Sequence, residues 1–227
     1  MSRSGQPAMP EPRYALIVFD WDGTLIDSAA TIVACIQAAA HDLGLPVPTV
    51  EQASHVIGLG LRDALRLAAP DLRPDQTMAF VDRYRAHFLA REDDMRLFEG
   101  IEPLLTGLRA RGHRLAIATG KSRRGLDRAL AASRLGELFV ASRCADETHP
   151  KPHPAMLHEL LDELEVAASA ALMIGDTSHD LTMARDAKVD AVAVTYGAHP
   201  AAALRACAPL ACVDSVAGLG EWLARNA

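Results

Sequence analysis

Asp20 and Asp22 stand two residues apart, directly after an apolar β-type run, Tyr14-Ala15-Leu16-Ile17-Val18-Phe19. A buried parallel strand reads as a short continuous apolar run, and open α/β sheets bind ligands beyond the carboxyl ends of such strands. An acid placed there is costly unless it does chemistry. Gly23 follows and lets the backbone turn closely around a ligand. Taken alone, Asp22-Gly23 also reads as a turn and Asp20 as a helix-capping acid, so the rest of the chain has to decide.

Other apolar runs end in residues of the types phosphate chemistry needs. Arg114-Leu115-Ala116-Ile117-Ala118 leads into Thr119-Gly120-Lys121-Ser122, where a hydroxyl, a free backbone amide and a helix start together make a cradle for anionic oxygens. Ala171-Leu172-Met173-Ile174 leads into Gly175-Asp176-Thr177-Ser178-His179-Asp180, with carboxylates four apart at a strand-to-helix turn. Between them lies Lys151, flanked by Pro150 and Pro152. Each has a plainer reading: Thr119 as a strand-end hydroxyl, Lys151 as a surface lysine, Lys121 as a solvated helix-start lysine, Asp180 as a first-turn acid favoured by the helix dipole. His149 and His153 bracket Lys151, where they would tune a pH response. His179 reads as a neighbour of the acids and His113 as part of a helix-to-strand turn.

Parallel strands would set these polar ends along one sheet edge. Leu138–Ala141 and Asp190–Thr195 add further strand-like runs, and helical segments at 101–111, 123–134, 154–164, 179–187 and 215–225 alternate with them, with Gly112 and Gly136 as expected stops. That alternation implies an α/β fold, a Rossmann-like, mostly parallel sheet with helices on both faces. From about Asp27 to Leu97 the chain is far longer than a crossover requires. It reads as an inserted α-helical cap, with helices over Ala29–Leu43, Leu61–Ala69 and Asp75–Arg91, broken at Gly44-Leu45-Pro46 and Ala69-Pro70. The expected organisation is a loose tail over 1–12, a core over 13–26 and 98–227, and a helical cap over 27–97.

The 227 residues are half apolar and carry a formal net charge of −6 with no long basic run, so nucleic acid is not an expected partner. No stretch has membrane-spanning length, and the polar, Pro-rich start lacks the apolar core of a signal peptide. The four cysteines, Cys35, Cys144, Cys207 and Cys212, have no disulfide or zinc spacing and read as reduced thiols, so a cytoplasmic protein is expected. Nothing in the chain chooses between a monomer and a homodimer.

In chain order, Asp20-Trp21-Asp22-Gly23-Thr24-Leu25, the run ending in Thr119-Gly120, Lys151-Pro152 and Gly175-Asp176-Thr177 through Asp180 resemble the four-motif signature of the haloacid dehalogenase-like hydrolase superfamily. The resemblance covers residues 14 to about 197, and the insertion looks like that family's helical C1 cap. Asp20 through Ser28 and Gly58-Leu59-Gly60-Leu61-Arg62 are most similar to the phosphoglycolate phosphatase-type branch. Trp21 departs from the usual Leu and is expected to point into the core.

The resemblance implies a phosphomonoester hydrolase working through an aspartyl-phosphate, with Asp20 as nucleophile and Asp22 as general acid and base. Thr119, the Gly120 amide and Lys121 would bind the transferred group, and Lys151 would supply a fixed positive charge. Carboxylates cannot approach a phosphate dianion unscreened, so a hard divalent cation is expected, Mg²⁺ on Asp20, the Asp22 carbonyl, Asp176 and Asp180, the last directly or through water. Arg62 would contact an anionic substrate tail, or else be a surface arginine on an amphipathic cap helix. The expected partner is a small phosphorylated metabolite, 2-phosphoglycolate first, with pyrophosphate, a sugar phosphate or a nucleoside monophosphate as alternatives.

Three rivals share the fold. Haloalkanoate dehalogenation needs neither the metal nor a second acid, so Asp22 and Gly175-Asp176 argue against it. Related hexose-phosphate mutases carry a His in the first cap helix, and Ala29–Ala40 contains none. A non-catalytic binding module would have no need of intact Asp20, Asp22, Lys151 and Asp176.

Overall fold

The first apolar run becomes β1 (Leu16–Phe19), in which every side chain is buried. The computed structural model describes residues 12–227, so all but the last residue of the expected tail lies outside the described residues. After β1 a tight turn leads through β2 (Ile26–Asp27) into four helices: α1 (Ala29–Asp42), α2 (Val50–His55), α3 (Leu61–Ala68) and α4 (Thr77–Leu89). The chain returns through β3 (Arg96–Leu97), which pairs antiparallel with β2, matching Ile26 to Leu97 and Asp27 to Arg96. Then come α5 (Ile101–Ala110), β4 (Arg114–Thr119), α6 (Arg123–Ser133), β5 (Ala141–Cys144) and α7 (Ala155–Glu163). The remainder is β6 (Ala171–Gly175), α8 (Ser178–Asp186), β7 (Asp190–Val194), α9 (Ala201–Ala206), β8 (Ala211–Val213) and α10 (Val216–Asn226).

Six strands form one sheet in the order β5-β4-β1-β6-β7-β8, with every pair parallel. The side-chain period of two divides each central strand between two cores. Ile17, Phe19, Leu115, Ile117, Leu172 and Ile174 face α5, α6 and α10. Leu16, Val18, Ala116, Ala118, Ala171 and Met173 face α7 and α8. Both faces are thus covered, which is why these strands read as continuous apolar runs. Trp21 is fully buried in the first of these cores, as expected.

The insertion builds an apolar core of its own, from Ile32, Ile36 and Ala39 of α1, Leu65 of α3 and Phe80 of α4. The chain enters and leaves it through the β2–β3 ribbon, immediately beyond Asp20 and Asp22.

Two sequence readings need correction. The run Leu138–Ala141 is not the fifth strand: Gly136–Leu138 is a 3₁₀ turn, and β5 starts at Ala141. Leu138 and Phe139 pack against the core from that turn, while the edge strand itself is Ala-Ser-Arg-Cys, since an edge needs few apolar side chains. The stop for α6 is Arg134, left-handed at φ 58°, and not Gly136; Gly112, at φ 93°, does follow α5. α2, α9 and β8 were absent from the sequence reading. For α2 the signal was present, a capping box between Thr49 and Gln52.

Candidate active site

Three neighbouring parallel strands bring polar side chains to one edge. β1 ends into Asp20, whose amide donates to the Ile174 carbonyl at 2.9 Å, β4 ends at Thr119, and β6 ends into Asp176. Adjacent order in the sheet brings together residues more than 150 positions apart. Asp20, Asp176 and Asp180 each place a carboxylate oxygen within 4.8 Å of the others. The three are at most 1% exposed.

Lys151 is buried with them. Its Nζ lies 2.8 Å from Asp20 Oδ1 and 2.6 Å from Asp180 Oδ1, as ion pairs whose angles fall outside hydrogen-bond alignment. Burial pulls the ammonium pKa down, and the charges of Asp180 and Asp20 more than reverse this, so its net shift is upward. Burial raises Asp20 well above the usual carboxylate range, with Lys151 opposing and Asp180 and Asp176 adding to it. Asp176 is pushed up to about 7, by burial first and the Asp180 charge second, against hydrogen bonds from the Ala198 amide and Thr24.

Once all three carboxylates are ionised, they and the one ammonium carry an excess of two negative charges, which one divalent cation would balance. Asp20 Oδ2 is buried and has no hydrogen-bond partner among the described residues. Such an atom is costly unless a ligand takes it up. An all-oxygen, all-carboxylate set of this kind suits a hard cation such as Mg²⁺. The other oxygens are already oriented: Asp20 Oδ1 accepts from the Trp21 amide at 2.6 Å, and Asp176 accepts from Thr24 Oγ1 at 2.8 Å and the Ala198 amide at 2.7 Å. Asp180 takes the first-turn position expected of it and also faces the other acids. Oδ2 closes a capping box with Thr177, whose hydroxyl donates at 2.7 Å, while Oδ1 faces Lys151.

Asp22 sits at the mouth. Its Oδ1 accepts from Ser28 Oγ at 2.8 Å, and Lys121 Nζ lies 3.0 Å from each carboxylate oxygen. The same ammonium is 4.7 Å from the centre of the Phe88 ring in α4. Thr119 Oγ1 accepts from the Lys121 amide at 3.2 Å. Above them is a cavity of about 950 Å³, lined by Asp20, Asp22, Thr119, Gly120 and Lys121 from below and by Arg62 among the cap residues. Arg62 is exposed; it reaches the Met78 sulfur at 3.7 Å and touches none of the site carboxylates.

Glycines allow the close approaches. Gly23, at φ 76°, has no room for a side chain: a Cβ would stand 2.2 Å from Asp176 Oδ2. At Gly120 a Cβ would stand 2.6 Å from the Gly58 carbonyl oxygen and 2.7 Å from that of Leu59, so the cap loop rests directly on the second motif.

Some participants escaped the sequence reading. Gly197, Ala198 and His199 follow β7, and their contacts to Asp176 exist only because β7 lies beside β6. His179 Nε2 lies 2.8 Å and His199 Nε2 3.2 Å from the His55 carbonyl at the end of α2, so the two imidazoles hold the cap against the core. Burial lowers both pKa values, that of His199 to about 4. His149 and His153 are exposed and stack on each other, with ring centres 4.6 Å apart. His113 is buried, with Nδ1 2.7 Å from the Tyr14 carbonyl in the turn before β4.

The haloacid dehalogenase-like hydrolase family model matches residues 17–194. The chain belongs to that family. A relative in Dickeya dadantii (strain 3937), named Probable phosphatase IndB, is 35% identical over 88% of this chain and 89% of its own length. The Tyrosine-protein kinase PtkA of Mycobacterium tuberculosis (strain ATCC 25618 / H37Rv) is 36% identical over 80% of this chain, which spans 62% of that protein. The crystal structure of a predicted phosphoglycolate phosphatase from Haemophilus somnus 129PT superposes with a TM-score of 0.83 at 25% identity, over 93% of this chain and 99% of that one. The chain is a phosphatase of this family, with the family's cap over a mostly parallel sheet.

Proposed function

We propose that this phosphatase is a Mg²⁺-dependent phosphomonoester hydrolase that works through an aspartyl-phosphate on Asp20. The observation that carries the reading is Asp20 Oδ2, buried and unpartnered among the described residues beside Asp176, Asp180 and Lys151, where the cavity reaches the sheet edge. Asp20, the Asp22 carbonyl, Asp176 and Asp180 would hold the cation, which when bound screens the phosphoryl charge from the carboxylates.

Asp20 attacks phosphorus, and the bond to the alcohol oxygen breaks. Protonated Asp22 gives its proton to the departing alkoxide, then takes one from the water that hydrolyses the aspartyl-phosphate, which restores both acids. Lys151 holds the nucleophile and adds positive charge beside the transferred group. Thr119 Oγ1 and the Gly120 amide bind its oxygens at the cradle before α6. Lys121 orients Asp22 and reaches the same oxygens, and Arg62 meets an anionic part of the substrate.

The body that closes over the site is the cap, residues 27–97, on a core of 13–26 and 98–227. The substrate is a small phosphorylated metabolite met in the cytoplasm. Among such metabolites 2-phosphoglycolate is the first to assay, on the motif resemblance and the name of the Haemophilus somnus protein. Among the described residues no helix is long and apolar enough to cross a membrane.

Release of inorganic phosphate from p-nitrophenyl phosphate with Mg²⁺ tests the reading. The expected result is turnover abolished by chelator and by Asp20→Asn. Turnover that survives Asp20→Asn in the folded protein would overturn it.

A further inference from the structure

The cavity is much larger than a two-carbon alcohol phosphate requires. At about 950 Å³ it lies at the upper end of sites that enclose drug-sized ligands. Cap and core are in contact in this structure. The Gly58 and Leu59 carbonyls press on Gly120, His179 Nε2 lies 2.8 Å from the His55 carbonyl, and Arg128 of α6 pairs with Glu92 beyond α4 at 3.0 Å. The space is therefore bounded by a cap that touches the core at its rim.

Its upper wall is mostly apolar, with Arg62, Asp63 and Arg85 as the charged cap residues that line it. Ile32 of α1, Leu61 of α3, and Tyr84, Phe88 and Leu89 of α4 line it, with the Tyr84 and Phe88 rings stacked 5.8 Å apart. Leu89 is 51% exposed, although it belongs to a helix that buries Phe80, Val81 and Phe88. A phosphoryl group bound at Asp20 and Lys151 would direct its alcohol upward past Asp22 into this wall. Apolar surface left open beside a charged anchor is what an amphipathic ligand covers.

We propose that the preferred substrate is the phosphomonoester of an alcohol with a bulky apolar body, which the α1, α3 and α4 side chains of the cap enclose. This rests on the phosphomonoesterase reading above and specifies its leaving group.

The test compares ligands with the same primary carbon at the phosphorus and different bodies. Calorimetric titration of the Mg²⁺-loaded protein with 2-(1-naphthyl)ethylphosphonate and with ethylphosphonate, neither of which can be hydrolysed, is expected to show tighter binding of the naphthyl compound, on the order of a hundredfold. Its heat-capacity change should also be more negative, the mark of apolar burial. Leu89→Gln, at an exposed helix end, and Leu61→Gln should each narrow that gap several-fold. Equal affinities, or a gap that neither substitution alters, would overturn the proposal. Phosphate release from the corresponding phosphate esters separates the two readings. Release from both at equal kcat/KM overturns this proposal and leaves the phosphatase, whereas no release from either overturns the phosphatase reading and this one with it.

Discussion

Lys121 Nζ lies 3.0 Å from both carboxylate oxygens of Asp22 while resting 4.7 Å from the centre of the Phe88 ring. One ammonium thus ties the second acid of the first motif to a cap helix. Removing it frees the Asp22 carboxylate to turn without altering Asp20. Lys121→Met is expected to lower kcat for an alkyl phosphate roughly tenfold, and by less for p-nitrophenyl phosphate, whose leaving group needs no proton. Equal losses on both substrates would mean that Lys121 acts on the phosphoryl oxygens and not through Asp22.

Gly23 is fixed by two independent constraints, a φ of 76° and the absence of space beside Asp176. A methyl group 2.2 Å from Asp176 Oδ2 must displace that carboxylate or the turn that carries Asp22. Gly23→Ala is expected to cost about 2 kcal/mol in stability, from strain at positive φ and the clash together. It should also weaken Mg²⁺ binding. Denaturant midpoints and metal titration measure the two effects, and an unchanged metal affinity would show that the clash is relieved without displacing either Asp176 or the Asp22 carbonyl.

The legible part of the site was the part written next to an apolar run. Asp20 and Asp176 each follow a strand buried on both faces and Thr119 ends one, so both the strand and its polar terminus can be read locally. Lys151, in a proline-flanked loop, needed the order of the motifs for its placement. The Ala198 amide on Asp176 and the His179–His55 contact depend on which strands lie adjacent and how the cap sits, which no local pattern encodes. The fifth strand is displaced for the opposite reason: Leu138 and Phe139 are apolar because they cover a core edge from a turn, and the edge strand beside them, Ala-Ser-Arg-Cys, has no large apolar side chain. The cap helices showed their periodicity but not the cavity beneath them.

The charge imbalance among Asp20, Asp176 and Asp180 makes metal-free stability depend on pH. Asp176 has an ordinary value of 3.8 and a folded value of about 7, raised by burial and then by Asp180. A folded value above the unfolded one means that its favourable contribution is complete below about 3.8 and is lost as pH rises towards about 7. Burial shifts Asp20 in the same direction. The metal-free protein should therefore lose thermal stability across that window, and Asp176→Asn should flatten the loss. Mg²⁺ held by these acids would take their deprotonated forms, so the rise in Tm that it gives should be small near the acid end and large at neutral pH. Thermal melts across the window, with and without Mg²⁺, measure this. A Tm increment that is the same at both ends would mean that the cation binds somewhere other than these three acids.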